Sequence, residues 1–154
     1  MKTFKRGSVL YKRVFKKEFG YVSNMRALEW FALTEDYGSD EAYGPIKEKY
    51  KVKRDLKLLD IGNGLMREKI EDVLVKADPS SHIVKYSNPD EQYSGGNSNE
   101  IYHKLLKSYF TSFDGTIIDD KNLKPGKKYS VSDLDGPSEV VLWGNLELMI
   151  DRVK

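Results

Sequence analysis

Glu139 is the residue in this chain best suited, by type and position, to do chemistry. It opens the apolar, β-branched run Ser138-Glu139-Val140-Val141-Leu142-Trp143, which reads as a buried strand. A carboxylate there is either an exposed edge charge or an acid aimed into a cleft, and the pattern allows both. In a cleft it would stabilise positive charge developing beside it, or orient a hydroxyl for attack. Two adjacent cations, Lys12 and Arg13, lie in Ser8-Val9-Leu10-Tyr11-Lys12-Arg13-Val14-Phe15, which reads as an early strand. Alternation puts Tyr11, Arg13 and Phe15 on one face and Leu10, Lys12 and Val14 on the other. Which cation turns into a cleft is not decided by that pattern.

Other chemistries are thinly represented. The chain has no cysteine, which excludes thiolate catalysis, disulfides and Cys-ligated zinc and is compatible with a reducing compartment. Its two histidines, His82 and His103, lack a metal-ligand pattern, so a metal site would rest on carboxylates. Gly62-Asn63-Gly64 lacks the third glycine and the strand-to-helix setting of a nucleotide fingerprint. A net charge of +2 is too small to argue for nucleic acid by itself. Basic residues do concentrate near the start, at Lys2, Lys5, Arg6, Lys12, Arg13, Lys16 and Lys17, interleaved with Phe4, Tyr11, Phe15 and Phe19. That mixture suits phosphate binding and base stacking, or a strand edge guarded by lysine.

The elements that must position these residues form one expected domain over residues 1–154. No apolar run reaches the length of a membrane span, and the first twenty residues lack an apolar signal core, so a cytoplasmic protein is expected. Glu29-Trp30-Phe31-Ala32-Leu33 reads as a strand, after a short turn capped by Ser23 or Asn24. A brief helix around Ala42 and Tyr43, capped by Ser39 or Asp40, ends at Gly44-Pro45. The run from Tyr50 to Ile61 alternates polar and apolar and predicts one long strand with a wet face. Leu65–Ala77 has helical spacing, with Met66, Ile70, Val73 and Leu74 inward and the charges outward. Residues 78–99 read as a long loop over a short element at Ile83–Tyr86, and residues 100–110 as a helix. Thr116–Asp119 predicts a strand, followed by a polar insertion to Pro137 and the Glu139 strand. The order is α+β, mostly strands with a few flanking helices.

Several separated blocks, in order, resemble the ADP-ribosyltransferase superfamily, the fold of ADP-ribosylating toxins and of poly-ADP-ribose polymerases. Leu10-Tyr11-Lys12-Arg13 is similar to its early strand, which supplies a polar residue to NAD. Trp30-Phe31-Ala32, followed by Ser39, Ala42 and Tyr43, is similar to the Tyr-Phe-Ala strand and short helix that bracket nicotinamide in the polymerase-like branch. Asp114-Gly115-Thr116-Ile117 and Glu139-Val140-Val141-Leu142-Trp143 resemble the pair of strands that ends the fold. Lys12 occupies the family's polar position in the tightest alignment, and Arg13 fits after a slip of one residue. The chain is also similar to proteins of large DNA viruses.

The resemblance implies split β-sheets with NAD, as substrate, in the cleft between them, and transfer of ADP-ribose to a protein or nucleic-acid acceptor. Glu139 would be the catalytic carboxylate. Trp30 and Tyr43 would sandwich nicotinamide, Ser39 would hydrogen-bond its carboxamide or the ribose, and Lys12 or Arg13 would hold ribose or pyrophosphate oxygens. Pro137 stands where arginine- and asparagine-modifying toxins carry a second Glu or a Gln. A second reading therefore retains the fold without catalysis, as a module that contacts nucleic acid or a protein through the basic N-terminus.

Overall fold

Strands that are apolar on both faces must be covered on both, and that requirement organises the architecture. A computed structural model of the chain describes residues 2–14, 28–35, 44–77, 98–135 and 138–153. The strands are β1 (Lys2–Phe4), β2 (Val9–Val14), β3 (Glu29–Ala32), β4 (Ile46–Val52), β5 (Leu56–Asp60), β6 (Gly115–Ile118), β7 (Glu139–Leu142) and β8 (Ile150–Val153). They form one mixed sheet in the order β1-β5-β6-β7-β3-β2-β4-β8. The helices are α1 (Gly64–Ala77), α2 (Ser98–Tyr109), α3 (Val131–Leu134) and α4 (Leu146–Met149), with a 3-10 turn at Asp120–Asn122. The protein is α+β. Among the strands of the described residues, only β5 and β6 pair in parallel, as expected for strands joined by a long crossover that carries α1 and α2.

The sheet curls on itself. β1 passes to β2, across most of the strand order, through Lys5–Ser8, and β4 passes to β5 through Lys53–Asp55. Such short connections force the two halves face to face. Gly7 supplies the positive φ of 91° that the first corner needs, and its N–H bonds Val52 O at 2.9 Å. The enclosed core draws on every strand: Phe4, Leu10, Phe31, Tyr50 and Val52, Leu56 and Leu58, Ile117, Val140 and Leu142, and Ile150, closed by Leu146 and Met149 of α4. A second core lies on the outer face, where Leu59, Ile61, Trp30, Ile118 and Trp143 meet Ile70 and Leu74 of α1 and Leu106 of α2.

Several expectations change. The strands form one sheet where two were expected, although the junction of β2 with β3 is a single residue pair, Tyr11↔Ala32, against a continuous ladder between β2 and β4. The run 50–61 is two strands that belong to opposite halves. Its alternation continues through Tyr50, Val52, Leu56 and Leu58, but the intervening inward position holds Arg54, which is exposed and marks the corner. On α1, Val73 is exposed, while Arg67 and Glu71 are buried. The polar insertion contains α3, whose Ser130 and Asp133 form a reciprocal capping box. β1, α4 and β8 were not anticipated. The turn at Ser23 and Asn24, the helix at Ser39–Tyr43 and residues 78–97 of the loop expected over 78–99 lie outside the described residues, while Ser98 and Asn99 belong to α2.

Candidate active-site face

Glu139 is not on an edge strand: β7 lies between β3 and β6, and Glu139 is paired with Ala32 on one side and Ile118 on the other. Val140 and Leu142 point into the enclosed core, so the pleat sends Glu139, Val141 and Trp143 to the outer face. Glu139 is half-buried there. Trp30, opposite Val141, projects from the same face and packs edge-on against His103, with ring centroids 5.9 Å apart. His103 is itself buried, and its Nε2 lies 2.8 Å from Thr116 Oγ1.

The two cations separate as alternation requires. Leu10 is in the enclosed core, and Lys12 follows it to that side. Lys12 Nζ lies 2.5 Å from Glu29 Oε2 and 3.0 Å from Trp30 O, and 5.1 Å from the centre of the Phe31 ring. Opposite it on β4, Glu48 accepts from Tyr50 Oη at 2.8 Å and from Arg152 at 2.7 Å. Two ion pairs, Lys12–Glu29 and Arg152–Glu48, therefore lie on the core side of these strands. Arg13 shares its face with Tyr11, which pairs with Ala32, and so lies on the Glu139 side.

One row of the outer face thus runs Ile118, Glu139, Ala32, Tyr11, and the next carries Val141, Trp30 and Arg13. Strand spacing and rise put the Glu139 and Arg13 backbones about 12 Å apart across small Ala32. A carboxylate, an indole and a guanidinium so disposed can flank a sugar and an aromatic ring. A cavity of about 10 Å³ among Tyr11, Arg13, Ala32, Glu35 and Lys47 has room for roughly one water. A groove of about 280 Å³ is lined by Phe4, Leu33, Ile117, Asp119 and Ser138, among others. Ser39 and Tyr43 lie outside the described residues. Among the described residues no cluster of three or more His, Asp or Glu is arranged to hold a metal ion, and no helix is long and apolar enough to cross a membrane.

Sequence reasoning missed a buried polar cluster beside this face. The Arg67 guanidinium lies 5.8 Å from the Tyr102 ring and 5.1 Å from the Tyr129 ring, and Tyr129 Oη donates to Glu71 Oε1. Burial pushes the Glu71 carboxyl up, against the pull of the Tyr129 hydrogen bond and the Arg67 charge. Burial also raises both phenols, that of Tyr102 to about 12. The neighbouring Glu68 accepts from Lys128 N–H, and a Cβ on Gly64 would collide with the backbone of Gly126. The cluster clamps the segment 124–129 onto α1. Its only sequence signal is the i, i+4 spacing of Arg67 and Glu71, which also describes a solvent-exposed pair.

Compared with known proteins, the chain matches no family model, no curated protein and no solved structure.

Proposed function

We propose that the protein is an NAD-dependent ADP-ribosyltransferase with a divergent form of that fold, acting on a macromolecular acceptor from the outer face of β7, β3 and β2. The observation that carries this reading is the common face of Glu139, Trp30 and Arg13, three residues far apart in sequence. Glu139 would stabilise the positive charge that develops on ribose as the nicotinamide bond breaks. Trp30 would stack on the nicotinamide ring, with Tyr43 from the segment after β3 as its partner and Ser39 on the carboxamide. Arg13, in place of Lys12, would hold ribose or pyrophosphate oxygens. Incubation with labelled NAD is expected to release nicotinamide and to label an acceptor or the protein itself. Glu139→Gln should lower release by about 100-fold or more, the scale of one electrostatic catalytic group. Unchanged release would remove Glu139 from the chemistry.

The closed Lys12–Glu29 pair and the water-sized cavity at Arg13 favour a second reading. Here the fold serves as a non-catalytic module that contacts nucleic acid or a protein through Lys5, Arg6, Lys16 and Lys17. It predicts no nicotinamide release from the wild-type chain and no shift in melting temperature with NAD.

A further inference from the structure

The outer face of the sheet has two halves. α1 and α2 cover β5, β6 and the end of β7 and β3 that carries Trp143 and Leu28, leaving Glu139 and Ala32 at the opposite end of those two strands. The other half presents β4, whose sequence Ile46-Lys47-Glu48-Lys49-Tyr50-Lys51-Val52 divides cleanly by alternation. Tyr50 and Val52 are buried in the enclosed core, and Glu48 is drawn to Arg152 and Tyr50 on that side. Lys47, Lys49 and Lys51 all project outward and are exposed. Their register partners on β2 are Arg13, Tyr11 and Val9, so a half-buried tyrosine sits beside the middle lysine.

Two features separate this stripe from an ordinary solvated face. Lysine often guards a sheet edge, but β4 lies between β2 and β8, and Lys49 and Lys51 are within the ladder with β8 and have no edge to guard, while Lys47 lies beyond it. The three side chains leave the backbone about 6.8 Å apart, twice the strand rise, which concentrates like charge on one face; Glu35 shares a small cavity with Lys47. The carboxylate nearest in register, Asp151 opposite Lys51, is 3.4 Å from Lys53 Nζ at the corner. Glu48, the one acid within β4, is withdrawn to the interior.

We infer that the Lys47–Lys49–Lys51 stripe, with Tyr11 beside it, binds the backbone of a single-stranded nucleic acid. Evenly repeated cations match a polyanion whose charges also repeat at short, regular intervals, and the tyrosine ring offers a surface on which a base can stack. The apolar side chains beside the lysines among the described residues are Val9 and Val153, smaller than the aromatic and leucine residues that an inserting membrane surface presents. The site shares Tyr11 with the N-terminal stretch but is distinct from Lys5, Arg6, Lys16 and Lys17, and it does not depend on catalysis at Glu139.

The test is fluorescence anisotropy of a labelled single-stranded oligonucleotide titrated with the full chain at several salt concentrations. Three neutralised phosphates give a salt slope of about −2, so affinity should fall roughly 20-fold between 50 and 200 mM salt. Lys47→Gln/Lys49→Gln/Lys51→Gln should abolish most of that dependence, whereas Lys69→Gln/Lys76→Gln/Lys107→Gln on the helices should preserve it. Melting curves of both triple variants check that the fold is intact. Absence of binding at low salt, equal loss in the two triple variants, or binding to phosphatidylserine vesicles but not to the oligonucleotide would each overturn the inference. Nicotinamide release is a separate readout, so this proposal and the catalytic one fail independently.

Discussion

Lys12→Met tests most sharply how the two cations are divided between the faces. Lys12 and Glu29 keep 18% and 5% side-chain exposure, so their pair is largely shielded from water. Removing one partner of a buried pair costs roughly 3–5 kcal/mol, mainly because the remaining charge loses its compensation. The residual exposure of Lys12 places this case near the lower end, at about 3 kcal/mol. For a chain of this size that corresponds to a fall in Tm of roughly 6–12 °C. Lys12→Met/Glu29→Gln removes both charges while keeping a polar group near the Trp30 carbonyl, and should recover to within about 1 kcal/mol of wild type. Urea or thermal melts of the two single variants and the double variant close a mutant cycle, with an expected coupling of at least about 2 kcal/mol. A loss below about 1 kcal/mol for Lys12→Met, with no coupling to Glu29, would refute the pairing. Lys12 would then return as a candidate for the cleft.

Gly115→Ala should leave little folded protein, because a Cβ there would collide with Val141 O, and both residues belong to adjoining central strands; the soluble yield and melting curve report it. Asp114→Asn should cost about 2 kcal/mol at neutral pH, since the carboxylate accepts from both Arg54 terminal nitrogens and from Lys57 N–H. Burial opposes ionisation of Asp114, but the hydrogen bonds from Arg54 and Lys57 outweigh it and lower its pKa. Its contribution is therefore complete above the ordinary carboxylate range and disappears as pH falls through the depressed folded value. The difference in melting temperature between the wild-type chain and the Asp114→Asn variant should accordingly narrow in acid, and a constant difference across pH would count against this account.

The sequence disclosed elements wherever burial leaves a clear period. β2, β3, β6, β7 and both long helices fall within a residue or two of their expected limits, because each has a sustained apolar pattern. The parallel crossover and the single curled sheet were illegible, since they depend on two corners whose sequences, Lys5–Ser8 and Lys53–Asp55, look like ordinary polar positions. Arg54 was readable in hindsight as a charge at an inward position. Asp114 and Gly115 entered as a family-like motif, and packing supplies their reason: one ties the corner to β6, the other lets β7 approach. The outer-face placement of Glu139 followed once β7 proved central. Arg67 and Glu71 were assigned to water by charge, and only tertiary contact with Tyr102 and Tyr129 turns them inward.

The central claim, that Trp30 faces the nicotinamide site beside Glu139, has an internal control in the second tryptophan. Trp143 is buried, with its indole N–H bonded to Phe113 O at 2.8 Å. Following the two indole N–H resonances by nitrogen-15 NMR during an NAD titration is the most direct measurement. The Trp30 signal should shift progressively while that of Trp143 stays in place. If neither moves up to millimolar NAD, or if Trp143 alone responds, this face does not bind NAD and the transferase reading is wrong.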